Sequence, residues 1–330
     1  MPPRRRGHRG WRLAGGYLLT LAVLVHLNFL LPRLMPGDPV DALLDAQSPS
    51  YVQDGAARAE LERYYGLDEP LTTQYGRYLA GLARGDLGSS IRYGRPVADL
   101  VAERLPWTVL LLGSSMLLAA AVGLALGVHS AWRRGSAADR GLLTLFLTVH
   151  NLPVFFVGAL AVLVFSVELG WTPLGGTRTP FDDPANLLAA AADVGAHLAL
   201  PAAVLASGLA ASYYLTMRAT MVGELGADYL VLGRAKGLSE RRLKYRYAGR
   251  NSLLVVVTWS ALRLEGLVTA SVLVEVVFAY QGLGGLIFDA VSFRDYPVMQ
   301  ACFLVLTVLV LTANLLADLA CGRLDPRTRA

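Results

Sequence analysis

The sequence predicts an all-α, polytopic membrane protein of six transmembrane helices with both termini in the cytoplasm. Of its 330 residues, 54% are hydrophobic and only 17% charged, with a mean hydropathy of +0.46. That balance is too apolar for a domain folding in water. Six apolar runs approach the roughly 20 residues that cross about 30 Å of hydrocarbon: Tyr17 to Leu34, Pro106 to Val128, Leu142 to Val167, His197 to Met217, Leu253 to Phe278 and Val298 to Ala320. The polar ends of these runs set the orientation. The amino tail, the Ala131 to Arg140 loop, the Arg218 to Ser252 loop and the carboxyl tail hold 19 of the 30 Lys and Arg residues, against nine in the other three loops. An excess of basic residues marks the cytoplasmic side.

Taken in order, Arg4, Arg5, Arg6, Arg9 and Arg12 precede the first apolar run. A cleaved signal peptide would need a small-residue cleavage site after that run; none follows, and a retained first helix is predicted. The chain divides into a tail and first helix (1–36), an extracytoplasmic segment (37–105), a five-helix core (106–322) containing the 226–252 loop, and a cytoplasmic tail (323–330). The extracytoplasmic segment is polar and acidic, with Gly and Pro marking short helices and turns. It reads as a packed cap in preference to a substrate contact. Cys302 and Cys321 come without a CxxC or a His cluster and define neither a disulfide framework nor a metal site. The net charge of +5 is spread over several loops; this excludes a nucleic-acid-binding stripe and fits membrane orientation.

The stretch from Gly226 to Ser252 is soluble and strongly basic, yet lies between long apolar runs, so it stands in water at a membrane face. Asp228 is placed to cap a helix running through Tyr229 to Lys236, and Gly237 suits the left-handed residue that ends it. Ser239 is placed to cap a second helix from Glu240 to about Gly249, with Leu238 and Leu243 spaced as a hydrophobic staple.

The string Asp228-Tyr229, then Arg234-Ala235-Lys236-Gly237-Leu238-Ser239-Glu240-Arg241-Arg242, then Arg250-Asn251 resembles the EAA loop of ABC-importer inner-membrane permeases. The resemblance is to the dipeptide, oligopeptide and nickel family, in particular the permease with a long extracytoplasmic segment after helix one. It extends over nearly the whole chain: Pro36-Gly37-Asp38-Pro39, Tyr65 to Leu71, Gly85 to Ser90, Glu275 to Gly284, Arg294 to Pro297, Asn314 to Leu316 with Asp318, and Leu324 to Arg327. Three positions depart from the family pattern: Gln281 and Val255 where proline is usual, and Tyr247 where histidine is usual.

The resemblance implies a type I ABC importer permease fold in the cell inner membrane. It also implies a non-catalytic subunit without a cofactor, ATP and Mg being bound by two partner ATPase subunits or domains. A second homologous permease and an extracytoplasmic substrate-binding protein complete the implied assembly. The residues named in the loop, from Asp228 to Asn251, become the coupling site: Asp228, Tyr229, Arg234, Ala235, Lys236, Gly237, Ser239, Glu240, Arg241, Arg242, Arg250 and Asn251. Gly282 and Gly284 become an extracytoplasmic turn beside the pathway.

Ionisable side chains within a span are costly. Arg263, Glu265, Glu275 and Asp318 therefore either face a wet translocation path or pair helices, and for Asp318 pairing is preferred. An ion- or proton-coupled transporter using Glu265 or Glu275 is the alternative function. No GxxxxGK[ST] is present to cradle ATP phosphates. Gly113-Ser114-Ser115, with His150 or His197 elsewhere, could be read as an intramembrane protease, but small residues in membrane helices serve close packing more often.

Overall fold

The computed structural model describes residues 7–35, 55–181, 184–261 and 264–324; within these, side chains 7–14, 55–58, 61, 254, 257–261, 264–265 and 316–324 are not described. Among the described residues the secondary structure is helical, apart from one isolated bridge between Ser89 and Pro96. Two compact units are distinguished, one within residues 1–106 and 285–311, the other within 107–284 and 312–330.

In the first unit, α1 (Gly7–Leu34) exposes Leu19, Val23, Leu27, Leu30 and Leu34 along one side and buries Asn28 and Phe29 on the other. The next helices are α2 (Gly55–Tyr64) and α3 (Leu71–Arg84). The Phe29 ring meets Tyr75 and Tyr78 of α3 at centroid distances of 5.0 and 5.5 Å. Gly85, at φ 75°, ends α3 in the left-handed conformation that a side chain would strain. Asp295 is fully buried; its carboxylate accepts from Ser90 Oγ at 2.5 Å and from the Arg92 N–H at 3.0 Å, pinning the 88–95 loop.

The long helix α4 (Val97–Trp132) is followed by α5 (Ala137–Asn151), α6 (Val154–Ala161) and a π-helical turn, π1 (Val162–Glu168). The run expected as the third span, Leu142 to Val167, falls within a pair of helices bent by 103°. Pro153 explains the break: it has no N–H for the helix ladder, and Leu152 before it is extended, at ψ 134°.

Residues 187–196, ahead of the apolar run expected to begin at His197, belong to α7 (Leu187–Glu224). The Asn186 side-chain oxygen accepts the Ala189 N–H at 2.9 Å, capping a helix that the following leucines and alanines propagate. In the second unit α4 and α7 approach closely at two glycines. A Cβ on Gly123 would lie 2.5 Å from the Ala210 carbonyl oxygen, and one on Gly127 2.9 Å from Met217 Cβ. Such small-residue contacts are how membrane helices gain dispersion energy without a hydrophobic driving force. Tyr214, Met217, Met221, Leu230 and Leu243 fill the core beside them.

Four described helices are long and apolar enough to cross a membrane, Gly15–Leu34, Val97–Trp132, Leu187–Glu224 and Tyr296–Leu315, and the bent pair makes up to five. The expected fifth span is covered by two shorter helices, α10 (Gly249–Ala261) and α11 (Leu264–Val277). The last helices are α12 (Leu283–Ser292) and α13 (Tyr296–Leu324).

Candidate functional site

The basic stretch folds as two arms. The first is α8 (Asp228–Ala235), which has Ala227 at its N-cap. This corrects the expected role of Asp228: it is the first helical residue, with its carboxylate in the first turn, where the helix dipole favours negative charge. Ser239 does occupy the N-cap of the second arm, but its hydroxyl makes no capping bond; its backbone carbonyl instead accepts from Arg242 and Leu243. That arm is also not a separate helix ending near Gly249. A short α9 (Glu240–Arg242) passes into a π-helical turn, π2 (Leu243–Ala248), and then into α10.

The bend between the arms is closed by the backbone. Gly237 has φ 76°; its N–H donates to the Arg234 carbonyl at 2.9 Å, and the Leu238 N–H donates to the Gly233 carbonyl at 3.1 Å. These are the two bonds of a Schellman motif. A Cβ on Gly233 would lie 2.6 Å from Leu243 Cδ2, so the arms meet where a side chain is missing. Gly233 carries no signal in the sequence, because only packing between the arms distinguishes it.

Side chains reinforce this geometry. Tyr229 donates its hydroxyl to Glu224, the last residue of α7, and Asn251 hydrogen-bonds to the same phenol; burial first, then the Glu224 bond, raise the phenol's pKa. Arg234 Nε lies 2.9 Å from Glu240 Oε1 across the bend. Both side chains are about half exposed, so the pair contributes at most about 1 kcal/mol. Ala235, Lys236, Arg241, Arg242 and Arg250 are exposed. Ser239, Arg241, Arg242, Tyr245 and Arg246 line a shallow depression.

Val231, Leu232 and Tyr245 are exposed as well, at 60, 55 and 53%. Sequence reasoning missed them. The available signal is the run Leu230-Val231-Leu232, since a short helix can turn only one of three consecutive apolar side chains fully inward. Leu230 is the buried one. The two arms of the bend thus expose both cationic and apolar side chains.

The same unit holds a buried network that the sequence does not reveal. Asp139 accepts from Arg218 Nε and Nη2, both at 2.8 Å, from the Gly135 N–H at 2.9 Å, and from the Ser130 hydroxyl. Ser130 Oγ is also 2.6 Å from the Tyr214 hydroxyl. The network ties the end of α4 and the start of α5 to the second half of α7, the helix on which the first arm is mounted.

The glycine turn forms a second group. Glu275 is fully buried and accepts from Thr108 Oγ1 at 2.8 Å and from the Gly284 N–H at 2.6 Å. Thr108 Oγ1 in turn accepts the Leu283 N–H at 2.8 Å. A Cβ on Gly282 would collide with the Glu275 carboxylate, and one on Gly284 would lie 2.6 Å from Val272 Cα. Both glycines are thus required by close approach, and Glu275 grips the turn that they form. Thr108 is the partner that sequence reasoning missed. Arg263 lies outside the described residues, as do the side chains of Glu265 and Asp318. Ser114 and Ser115 hydroxyls both donate to the Leu111 carbonyl, at 3.1 and 2.6 Å, as helix-bound packing residues do.

Fold and surface together define a helical, multi-pass membrane protein bearing a rigid basic projection. The family model described as "Binding-protein-dependent transport system inner membrane component" matches residues 123–330, and the chain belongs to that family. It is similar to the oligopeptide transport system permease protein AppB of Bacillus subtilis, with 37% identity over 94% of this chain and 96% of the relative. It is 36% identical to the di/tripeptide transport system permease protein DppB of Pseudomonas aeruginosa, over 96% and 97%. For the glutathione transport system permease protein GsiC of Salmonella paratyphi A the figures are 34%, 95% and 96%. Among solved structures, an inward-facing form of the MetNI methionine ABC transporter superposes with a TM-score of 0.55, at 17% identity, over 68% of this chain and 96% of that one. The fold is accordingly that of an ABC importer permease.

Proposed function

We propose that this chain forms half of the translocation pore of an ABC importer for peptides or a related small solute. It takes mechanical input from cytoplasmic ATPases through residues 226–252. The observation that carries the reading is the bend at Gly237, closed by two backbone hydrogen bonds, with Val231 and Leu232 exposed on one arm and Arg241, Arg242 and Tyr245 exposed on the other. A rigid element can carry a displacement from one protein to another; a floppy basic loop cannot. The relatives' peptide substrates support the choice of cargo.

In this mechanism ATP-driven closure of two ATPase subunits moves the α8–α9 bend. The helices anchored to it tilt with it, exchanging outward- and inward-open states of the pore. Tyr229 positions α8 on the end of α7 through Glu224, and Asn251 steadies the same contact from α10. Arg241 and Arg242 supply rim charge, and Val231, Leu232 and Tyr245 supply apolar area in the docked state. A second homologous permease completes the pore, an extracytoplasmic binding protein delivers cargo, six crossings put both termini in the cytoplasm, and ATP hydrolysis resides in the partners.

Gly237→Val tests the assignment, because a β-branched residue at positive φ is strained. The variant is expected to reach the membrane, lose co-purification with the ATPases and stop transport. Wild-type stoichiometry with normal transport would overturn the lever. Uptake that continues with ATP present and the proton gradient dissipated is also expected; uptake that stops would favour a proton-coupled carrier.

A further inference from the structure

The bend at Pro153 lies where a membrane span tolerates it least. It falls near the middle of the run Leu142 to Val167, and the residues around it are at the surface of the second unit: His150, Asn151 and Pro153 are exposed, and Leu152 is 41% exposed. Leu152 and Pro153 are both extended, at ψ 134° and 132°. The chain therefore cannot turn back to pair the His150 and Asn151 carbonyls with the N–H groups four residues on. The Phe156 N–H, which would serve Leu152 in a continuous helix, donates to the Pro153 carbonyl at 3.0 Å. Three consecutive carbonyls thus leave the helical ladder inside a span.

Side chains add polarity at the same place. His150 Nδ1 is 3.4 Å from Ser212 Oγ of α7. Asn151 Nδ2 donates to the Leu147 carbonyl at 2.7 Å, which leaves its Oδ1 as an acceptor. On α7, Gly208, Ser212 and Thr216 recur every fourth residue and so share one face. All three are half-buried, and a Cβ on Gly208 would meet nothing within 4 Å. The break and this strip together form a surface rich in hydrogen-bond acceptors.

What covers that surface follows from what can satisfy it. Hydrocarbon offers no hydrogen bonds, and each bare backbone group placed in it is costly. A helix of a second permease has its own backbone groups paired internally and brings side chains alone. Water and an extended peptide both bring free donors. Interrupted helices near the midplane are also where other transporters place their substrate sites, for this reason.

We propose that the break at His150 to Pro153 lines the water-filled translocation path and hydrogen-bonds the backbone N–H groups of a passing peptide. The carbonyls of His150, Asn151 and Leu152 accept, together with Asn151 Oδ1 and Ser212 Oγ. The inference rests on the importer reading above and names a contact point for its cargo.

The test uses the full complex with its partner permease, ATPases and binding protein in membrane vesicles. ATP-driven uptake of a mixed hydrolysate of short peptides is measured first. Its absence in wild type would refute the importer reading itself, while the labelling below would still report whether the break is wet. Asn151→Cys is then treated with a charged, water-soluble methanethiosulfonate and, separately, with a lipid-soluble maleimide. A thiol on the path ionises in water, so the charged reagent should modify it on the order of tenfold faster than wild type, whose Cys302 is buried. The hydrolysate, supplied with binding protein and ATP, should slow that modification several-fold. Asn151→Leu should keep ATPase co-purification and lose uptake about three- to tenfold, the size of one net hydrogen bond. Modification by the maleimide alone would place the break against lipid, and modification by neither would place it under another subunit; either outcome overturns the proposal. Rapid modification that peptides do not slow, in vesicles that take them up, would remove the contact with cargo and overturn it too.

Discussion

Replacing Asp139 with Asn keeps the shape of the buried network beside the proposed coupling surface and removes its charge. The Asp139 side chain is 3% exposed and that of Arg218 20%, and two bonds of 2.8 Å join them. Breaking one partner of a fully buried pair costs about 3–5 kcal/mol, because the other charge is left unpaired. Arg218 retains some contact with solvent, which lowers the expected cost to about 2–3 kcal/mol. For a chain of this size that corresponds to a fall of roughly 4–8 °C in thermal midpoint. The assay is thermal unfolding of the purified chain in one detergent at one scan rate, comparing Asp139→Asn, Arg218→Gln and the double variant. The double variant should be less destabilised than the sum of the single ones, since it strands no charge. Strict additivity, or a midpoint within about 1 °C of wild type on the same scale, would refute the reasoning. A functional consequence follows from the location of Arg218 on α7, the helix whose end carries Glu224, the partner of Tyr229. Asp139→Asn complexes that still assemble should hydrolyse ATP with less transport per ATP.

Two further substitutions probe close approach. Gly233→Val places carbon where Leu243 Cδ2 would be 2.6 Å from a Cβ, so Leu243 must move and the arms separate. The expected cost is about 1–3 kcal/mol, read as a lower melting midpoint together with weaker ATPase co-purification. Gly282→Ala would drive a methyl onto Glu275 Oε2 and to 2.5 Å from Thr108 Oγ1. Overpacking and the broken hydrogen bonds together should cost roughly 2–4 kcal/mol. Transport should fall while ATPase binding persists; normal uptake at normal expression would show that the turn tolerates expansion.

Much of the fold and part of the proposed coupling surface are legible in the amino-acid sequence. Composition and the spacing of apolar runs indicate a helical membrane protein, and Gly237 declares its left-handed turn through local sequence alone. Asp228 is ambiguous at that level, because Asp suits either the cap or the first turn and flanking residues do not separate the two. The bend at Pro153 has a signal in the proline itself, but the apolar run around it conceals two helices. Asn186 is likewise a readable cap, hidden by the apolar residues after it.

What the sequence by itself determined is local or additive: the solvent the chain requires, where helices run, and which glycine must reverse the backbone. Only tertiary structure decided that Asp139 meets Arg218, that Glu275 grips Gly284, and that Gly233 must be bare to admit Leu243. These partners are separated in sequence or act by absence of a side chain. Their meaning arises from the desolvation and steric exclusion created when helices pack, which no single segment contains.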